Sequence, residues 1–179
     1  MITEMICAGF GGQGVLTTGS LIAYCAFDSG KLFTWYPSYG SEMRGGTANC
    51  TVKISQDGEE IANPLATEID ILMAMNGPAI DKFEKSIRPG GYMFVNSSLV
   101  KGREYRDDIK VVEVDTVALA EKANNPKGAN IAMIGKLIKE TGIMTIEECD
   151  KAIEKYFTDH GKAKFNEASK AALLAGYEG

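Results

Sequence analysis

Short apolar runs alternate with longer amphipathic stretches along the chain. The apolar runs have the length and composition of buried strands and lie at 3–8, 31–36, 70–75, 92–95 and 110–114. The amphipathic stretches repeat apolar residues at helical spacing and lie at 14–29, 78–88, 115–124, 130–140 and 162–176. A capping box at Thr145 and Glu148 predicts the start of one more helix. This alternation predicts an α/β fold, a three-layer Rossmann-like domain with a mainly parallel sheet and C-terminal helices on one face.

One region breaks the alternation. Residues 47–55 alternate apolar and polar side chains, and Gln56-Asp57-Gly58 is typical of a hairpin turn. Glu59 to Ala62 is therefore predicted to return as a second strand. We expect this pair to form an antiparallel addition to the sheet.

Prolines are expected to punctuate two strands. Pro37 follows the β-rich run 31–36 and is predicted to end that strand. Pro89-Gly90-Gly91 is predicted to break the preceding helix, so that the next strand begins only at Tyr92. Both expectations rest on the missing N–H of proline.

The bulk composition narrows the class of protein. With 179 residues, 45% of them hydrophobic and 24% charged, the chain is expected to form one globular domain over 1–179 with its own core. A net charge of −5 disfavours nucleic acid as the main partner, because phosphate binding needs clustered Lys and Arg. No apolar run approaches the ~18 residues of a membrane span, and the first residues lack signal-peptide features. A cytoplasmic location without membrane association is expected.

The cysteines and the single histidine give no sign of a metal site. The four cysteines are scattered along the chain without a C-x-x-C motif, so this chain is expected to hold no metal and no iron–sulfur cluster. Cys7, Cys25 and Cys50 fall inside predicted strands or a helix and are interpreted as small core residues. His160, between Asp159 and Gly161, is interpreted as a solvated loop residue.

A glycine-rich turn joins the first strand to the first helix. In Gly9-Phe10-Gly11-Gly12-Gln13-Gly14, Gly9 is predicted to make the tight turn, Gly11 to allow close backbone approach, and Gly14 to let helix and strand pack. The amides at the start of the helix would then face a phosphate or carboxylate. The alternative is that the glycines only ease the turn between strand and helix.

The usual acidic partner of a dinucleotide motif is missing. Dinucleotide-binding proteins carry an acid at the end of the second strand, where it holds ribose hydroxyls. Here that strand ends in Trp35-Tyr36-Pro37, and Asp28 lies too early, within the first helix. The sequence therefore disfavours NAD.

A second unusual segment is the loop 37–46. It holds three glycines, and Gly45-Gly46 permits close backbone approach or positive φ. Arg44 could bind a carboxylate or phosphate, or pair with Glu42 or a partner subunit. The loop is expected to line one crevice with the glycine turn, and the alternative is an ordinary solvated loop. Its candidate interface or active-site residues are Ser38, Tyr39, Gly40, Glu42, Arg44, Gly45 and Gly46.

No arrangement of residues predicts catalysis by this chain alone. There is no G-x-S-x-G motif and no Cys or Ser with a candidate base near it in sequence. Glu42 is a lone carboxylate, which is more often a surface residue or an ion-pair partner. The predicted crevice is therefore interpreted as a binding or contact surface, with no catalytic residue assigned.

Three sequence blocks together resemble the gamma subunit of 2-oxoacid:ferredoxin oxidoreductases. They are the glycine turn at 9–15, the loop at 37–46, and the stretch from Gly128-Ala129-Asn130 to Met133-Ile134-Gly135. The resemblance implies a single pyruvate/ketoisovalerate oxidoreductase gamma-type catalytic domain over 1–179. It also implies a complex that converts a 2-oxoacid and coenzyme A to acyl-CoA and carbon dioxide, and reduces ferredoxin.

The resemblance also implies where the cofactors and partners are. Thiamine diphosphate, Mg and iron–sulfur clusters would be held by the alpha and beta subunits, with delta as a further candidate partner. This chain would hold no cofactor by itself and would be inactive in isolation. Candidate partner-facing residues are Trp35, Tyr36, Tyr39 and Met43, and the alternative for each of the four is a place in the core.

The resemblance further implies roles for individual residues. Gly9, Gly11, Gly12, Gln13 and Gly14 would bind coenzyme A or shape its approach, together with the loop 38–46 and Asn130. Alternatively, these segments would only pack against the catalytic subunits, or the chain would be a stand-alone nucleotide-binding protein. The loop sequence looks more like that of 2-oxoglutarate or branched-chain enzymes than that of pyruvate enzymes, although Ser41 replaces a proline of that pattern.

Overall fold

The computed structural model describes residues 1–39 and 46–179 of the chain. Its six strands are β1 (Ile2–Phe10), β2 (Leu32–Tyr39), β3 (Thr47–Ser55), β4 (Ile69–Ala74), β5 (Ile87–Asn96) and β6 (Lys110–Val114). Its helices are α1 (Val15–Asp28), α2 (Gly77–Phe83), α3 (Thr116–Lys122), α4 (Ala129–Thr141), α5 (Ile146–Asp159) and α6 (Asn166–Glu178), with short 3₁₀ turns at Glu84–Ser86 and Ala163–Phe165. None of the helices in these two ranges is long and apolar enough to cross a membrane.

The six strands form one mixed sheet in the order β2-β3-β1-β4-β5-β6. The pairs β1–β4, β4–β5 and β5–β6 are parallel, whereas β3 is antiparallel to both of its neighbours. β2 therefore runs in the same direction as β1 although β3 lies between them. The predicted α/β fold with a mainly parallel sheet and an antiparallel addition is confirmed.

Two apolar layers cover the two faces of the sheet. On one face, α1, α4, α5 and α6 pack through buried residues such as Leu21, Leu137 and Leu173. On the other face, α2 packs Ala79 and Ile80 against β4 and β5. The sheet thus lies between helical layers. The C-terminal helices cover one face, as the sequence predicted, and the structure shows that α1 packs on the same face.

The predicted hairpin return at Glu59 to Ala62 is wrong. These residues form no strand, because both edges of β3 are already occupied, by β1 on one side and β2 on the other. A strand has only two hydrogen-bonding edges, so no place is left for a third neighbour. The antiparallel addition is therefore β3 itself.

The two proline boundaries are also wrong. β2 continues through Pro37 to Tyr39, which a strand at the edge of a sheet tolerates because its outer amides need no strand partner. β5 begins at Ile87 and includes Pro89 to Gly91, where the pairing with β4 shifts register. Gly90 absorbs that irregularity with a positive φ of 80°.

The cysteine and histidine interpretations are confirmed. Cys7, Cys25 and Cys50 are buried in the core between the sheet and α1. His160 is exposed at the end of α5, where the centroid of its ring lies 4.2 Å from the centroid of the Tyr156 ring.

Two glycines let α4 and α6 cross at close range. A Cβ at Gly135 would lie 2.0 Å from the carbonyl oxygen of Leu173, and one at Gly176 would lie 1.8 Å from that of Ala132. Real Cβ atoms do not approach backbone oxygens so closely, so any larger residue must push the helices apart. The reciprocal glycines therefore determine the separation of α4 and α6.

We expect Gly176→Ala to lower the free energy of unfolding by about 1–3 kcal/mol or more, because the methyl group overpacks a backbone contact. Urea denaturation of the purified chain measures this change. Gly77→Ala is the matched control, since a Cβ there meets nothing within 4 Å. It should be neutral or stabilise by up to about 1 kcal/mol. Equal denaturation midpoints for Gly176→Ala and the unchanged chain would contradict the packing argument.

Candidate functional site

The glycine turn lies at the carboxyl edge of the sheet, between β1 and α1. Gly12 and Gly14 adopt positive φ values of 97° and 73°, which only glycine adopts without strain. At Gly9 the requirement is packing, since a Cβ there would lie 2.9 Å from the Cβ of Met75. The predicted division of roles between Gly9 and Gly14 is therefore wrong, because the left-handed turn is at Gly14 and the sheet contact is at Gly9.

The side chain of Gln13 ties this turn to the end of β4. Its Oε1 accepts hydrogen bonds from the backbone N–H of Phe10 (2.6 Å) and from Nδ2 of Asn76 (3.1 Å). Its Nε2 donates to the carbonyl oxygen of Met75 (3.1 Å). Gln13 therefore positions the glycine turn through hydrogen bonds within the chain.

Three buried polar residues extend this network across the carboxyl ends of the strands. Asn96 donates through Nδ2 to the carbonyl oxygen of Met75 (3.2 Å) and accepts from the hydroxyl of Thr116 (2.8 Å). Asn76, Asn96 and Thr116 are at most 3% exposed. None of the three was identified from the sequence as a site residue. For Asn76 and Asn96 there was a signal, because each directly follows an apolar strand pattern.

Asn130 joins the first turns of α4 and α1. Its Nδ2 donates to the carbonyl oxygen of Gly14 (3.2 Å) and lies 3.3 Å from the hydroxyl oxygen of Thr18. Both helices begin at glycine, at Gly14 and Gly128, with no side-chain cap among the described residues. The first amides of an α-helix have no partner within the helix and carry its positive dipole end. Two such helix ends are thus held side by side.

A cleft of about 550 Å³ opens over these helix ends. Its lining combines polar groups at the helix and strand ends with two exposed apolar side chains, Leu99 and Val117, which are 62% and 48% exposed. Lys127 is an exposed cation at the cleft, and none of the residues described as lining it is a carboxylate. The lining residues are Gly12, Gln13, Gly14, Met75, Asn96, Leu99, Thr116, Val117, Pro126, Lys127, Ala129 and Asn130.

The nearby carboxylate of Asp115 accepts its hydrogen bonds from groups of the protein itself. It caps α3 by accepting from the N–H of Ala118, and it accepts a 2.7 Å hydrogen bond from the hydroxyl of Ser98. The hydrogen bond from Ser98 lowers the pKa of Asp115 below its ordinary value. The cleft is suited to an elongated ligand with an anionic part at the helix ends and an uncharged part against Leu99 and Val117.

One described end of the second predicted loop, at Gly46, contacts the glycine turn, and the other, at Tyr39, lies one strand further away. The N–H of Gly11 donates to the carbonyl oxygen of Gly46 (3.1 Å). Tyr39 pairs with Ala48 in β3, and Ala48 pairs with Gly9 in β1. Ser38 and Gly46 do not line the cleft. Gly40, Glu42, Arg44 and Gly45 lie outside the described residues, so their place in a shared crevice stays a prediction.

Comparison with known proteins gives consistent matches along the chain. Residues 4–179 match the family described as pyruvate ferredoxin/flavodoxin oxidoreductase. The chain is 34% identical over 169 residues to ketoisovalerate oxidoreductase subunit VorA of Methanothermobacter marburgensis, covering 94% of this chain and 34% of the relative. It thus spans about a third of the length of the VorA relatives that it matches.

Two further matches cover nearly the whole of both chains. 2-Oxoglutarate synthase subunit KorC of Methanocaldococcus jannaschii is 32% identical over 182 residues, which cover 99% of this chain and 94% of the relative. The crystal structure of a keto/oxoacid ferredoxin oxidoreductase gamma subunit from Geobacter sulfurreducens superposes with a TM-score of 0.82 at 27% identity. That superposition covers 98% of this chain and 96% of the other.

We expect Gln13→Glu and Asn76→Asp each to lower the free energy of unfolding by about 1–3 kcal/mol, because each removes one donor of a part-buried hydrogen bond and keeps the acceptor oxygens. Gln13→Glu loses the bond to the carbonyl oxygen of Met75, and Asn76→Asp loses the bond to Gln13. Urea denaturation at neutral pH measures both changes.

Asn63→Asp is the control for these two variants. Asn63 is exposed and accepts from the N–H of Leu65 through Oδ1, a bond that aspartate keeps. Its free energy of unfolding should stay within about 0.5 kcal/mol of the unchanged chain. If all three variants unfold at the same urea concentration, Gln13 does not support the turn.

Proposed function

The chain belongs to the pyruvate ferredoxin/flavodoxin oxidoreductase family, and on that premise we propose that it is the gamma subunit of a 2-oxoacid:ferredoxin oxidoreductase. In such a complex a 2-oxoacid loses carbon dioxide, the acyl group passes to coenzyme A, and two electrons pass to ferredoxin. Relatives named as KorC and PorC are subunits of 2-oxoglutarate and pyruvate synthases and match over most of their length. We assign the thiamine and iron–sulfur chemistry to the alpha and beta subunits.

The observation that supports a ligand-binding role for this chain is the cleft over the paired helix ends. Coenzyme A has a diphosphate and a further phosphate at one end and an uncharged pantetheine arm that ends in a thiol. We propose that its phosphates bind at the first amides of α1 and α4, near Lys127. Leu99 and Val117 offer apolar surface to the uncharged arm.

In this proposal the chain binds and orients coenzyme A and contributes no catalytic residue. Holding one reactant near the site where the other forms supplies part of the rate through proximity. Gln13 and Asn130 act by positioning the two helix ends, since their amides bond the backbone at Met75 and Gly14. The thiol would accept the acyl group on the neighbouring subunits.

For the 2-oxoacid itself we propose 2-oxoglutarate. The supporting observation is that the KorC relative is 32% identical over 99% of this chain and 94% of its own length. PorC is 28% identical over 95% and 90%, and VorA matches over 34% of its length. In the complex assembled with its own alpha and beta subunits, we expect 2-oxoglutarate to give the highest kcat/KM among 2-oxoglutarate, pyruvate and ketoisovalerate. Ferredoxin or viologen reduction measures it, and a higher kcat/KM for either competitor would reject this assignment.

We expect Lys127→Glu to raise the KM for coenzyme A by about tenfold or more with kcat retained, since a tenfold change corresponds to about 1.4 kcal/mol of lost phosphate attraction. The assembled complex is assayed at varied coenzyme A. Lys122→Glu is the matched control, because it makes the same charge change on the exposed last turn of α3, outside the cleft lining. Its KM should be unchanged.

Other outcomes distinguish the competing functions. An unchanged KM for coenzyme A in both Lys127→Glu and Gly12→Asp complexes would refute ligand contact and favour a purely structural subunit. Calorimetric titration of the isolated chain tests the remaining alternative. Tight binding of NAD or FAD, with no binding of coenzyme A, would favour a stand-alone nucleotide-binding protein.

A further inference from the structure

A tight turn between α3 and α4 brings Lys127 to the cleft. The N–H of Gly128 donates to the carbonyl oxygen of Asn125 (2.8 Å), which closes a turn over residues 125–128 with Pro126 and Lys127 at its centre. Both central residues are exposed and line the cleft. In the described part of the chain Lys127 takes part in no ion pair, so the place of its charge depends on the turn that carries it.

Asn125 fastens this turn to two helices. Its N–H donates to the carbonyl oxygen of Ala120 in α3 (2.9 Å), and its Nδ2 donates to the carbonyl oxygen of Ala168 in α6 (3.1 Å). Asn124, directly before it, has a φ of +51°, a conformation that asparagine tolerates better than most residues and that turns the chain at the end of α3. The backbone and the side chain of Asn125 thus join the turn to α3 and to α6.

The turn also packs closely against α6. A Cβ at Gly128 would lie 2.7 Å from Nδ2 of Asn125 and 2.8 Å from the Cβ of Ala172, which is fully buried. The turn therefore has little room to shift along α6 while the side chain of Asn125 stays in place. No α6 residue is among those described as lining the cleft, so α6 supports the turn from behind.

We propose that Asn125 is a positioning residue for coenzyme A binding and that it acts through Lys127. Its side chain anchors the 125–128 turn to α6 and thereby holds the charge of Lys127 at the cleft. An asparagine amide donates to a carbonyl oxygen without adding charge, whereas a carboxylate would repel both that oxygen and a phosphate. This inference rests on the function proposed above, because it assumes that coenzyme A binds at the cleft.

The test is the KM for coenzyme A in the complex assembled with its alpha and beta subunits. Asn125→Ala is expected to raise this KM about threefold or more, because the lysine charge is no longer held in place, while kcat and the KM for the 2-oxoacid stay unchanged. Asn166→Ala is the matched control, since it makes the same substitution in α6 and removes the bond from Nδ2 to the hydroxyl of Thr158 in α5. Its KM for coenzyme A should equal that of the unchanged complex.

A double-mutant cycle separates positioning from a general loss of stability. If Asn125 acts through Lys127, the double variant Asn125→Ala/Lys127→Ala should have the same KM for coenzyme A as Lys127→Ala alone, within about twofold. Effects of the two single variants that multiply overturn the inference. So does a raised KM in Lys127→Ala with an unchanged KM in Asn125→Ala, and both results leave the proposed function standing. An unchanged KM in Lys127→Ala refutes coenzyme A binding at the cleft, and the positioning role falls with it.

Amide hydrogen exchange of the purified chain tests the anchor without any ligand. The N–H of Gly128 should exchange faster in Asn125→Ala than in the unchanged chain, because its acceptor lies in the turn that has lost its anchor. It should exchange at the unchanged rate in Asn166→Ala. Equal exchange of this amide in all three proteins shows that the side chain of Asn125 does not hold the turn, and overturns the inference.

Discussion

The carboxyl edge of this sheet depends on the buried main chain of Met75. Its N–H donates to the carbonyl oxygen of Ala8 in β1 (2.9 Å), and its carbonyl oxygen accepts from Gln13 (3.1 Å) and Asn96 (3.2 Å). Three elements distant in sequence thus meet at one residue that is 2% exposed. Because an unpaired buried backbone group is costly, the glycine turn, the end of β4 and the end of β5 hold one another in place.

Local patterns were enough to predict most elements and the fold class, since each buried strand and amphipathic helix shows its own period. Pairing could not be predicted in the same way. The residues Glu59 to Ala62 follow a good turn sequence, but β3 has two edges, and β1 and β2 already occupy both. Pro37 ends a strand only where its N–H side needs a partner, and edge position is a property of the whole sheet.

The same distinction between local pattern and strand pairing applies to the residues of the candidate site. The place of Gly12, Gln13 and Gly14 at the turn could be predicted, because a glycine motif between strand and helix has a known geometry. The separate roles of Gly9 and Gly14 could not, because they depend on contacts with Met75 and Asn130. Asn76, Asn96 and Thr116 are ordinary polar residues until the sheet order brings three strand ends together. Lys127 was missed for the same reason, since nothing in its local sequence places it at the mouth of a cleft that α1, α3 and α4 share.

The helix starts support the proposal that a ligand binds at the carboxyl edge of the sheet. Side chains cap α2, α3 and α5, through Asn76, Asp115 and Thr145, and α6 continues directly from a 3₁₀ turn. α1 and α4 begin instead at glycines without a side-chain cap, and both open on the cleft. A polar cap over alanine is worth about 1 kcal/mol, and it would occupy the amides that an anion needs. Two uncapped helix starts at one cleft, beside Lys127 and with no carboxylate among the described lining residues, are electrostatically suited to a ligand's negative charge.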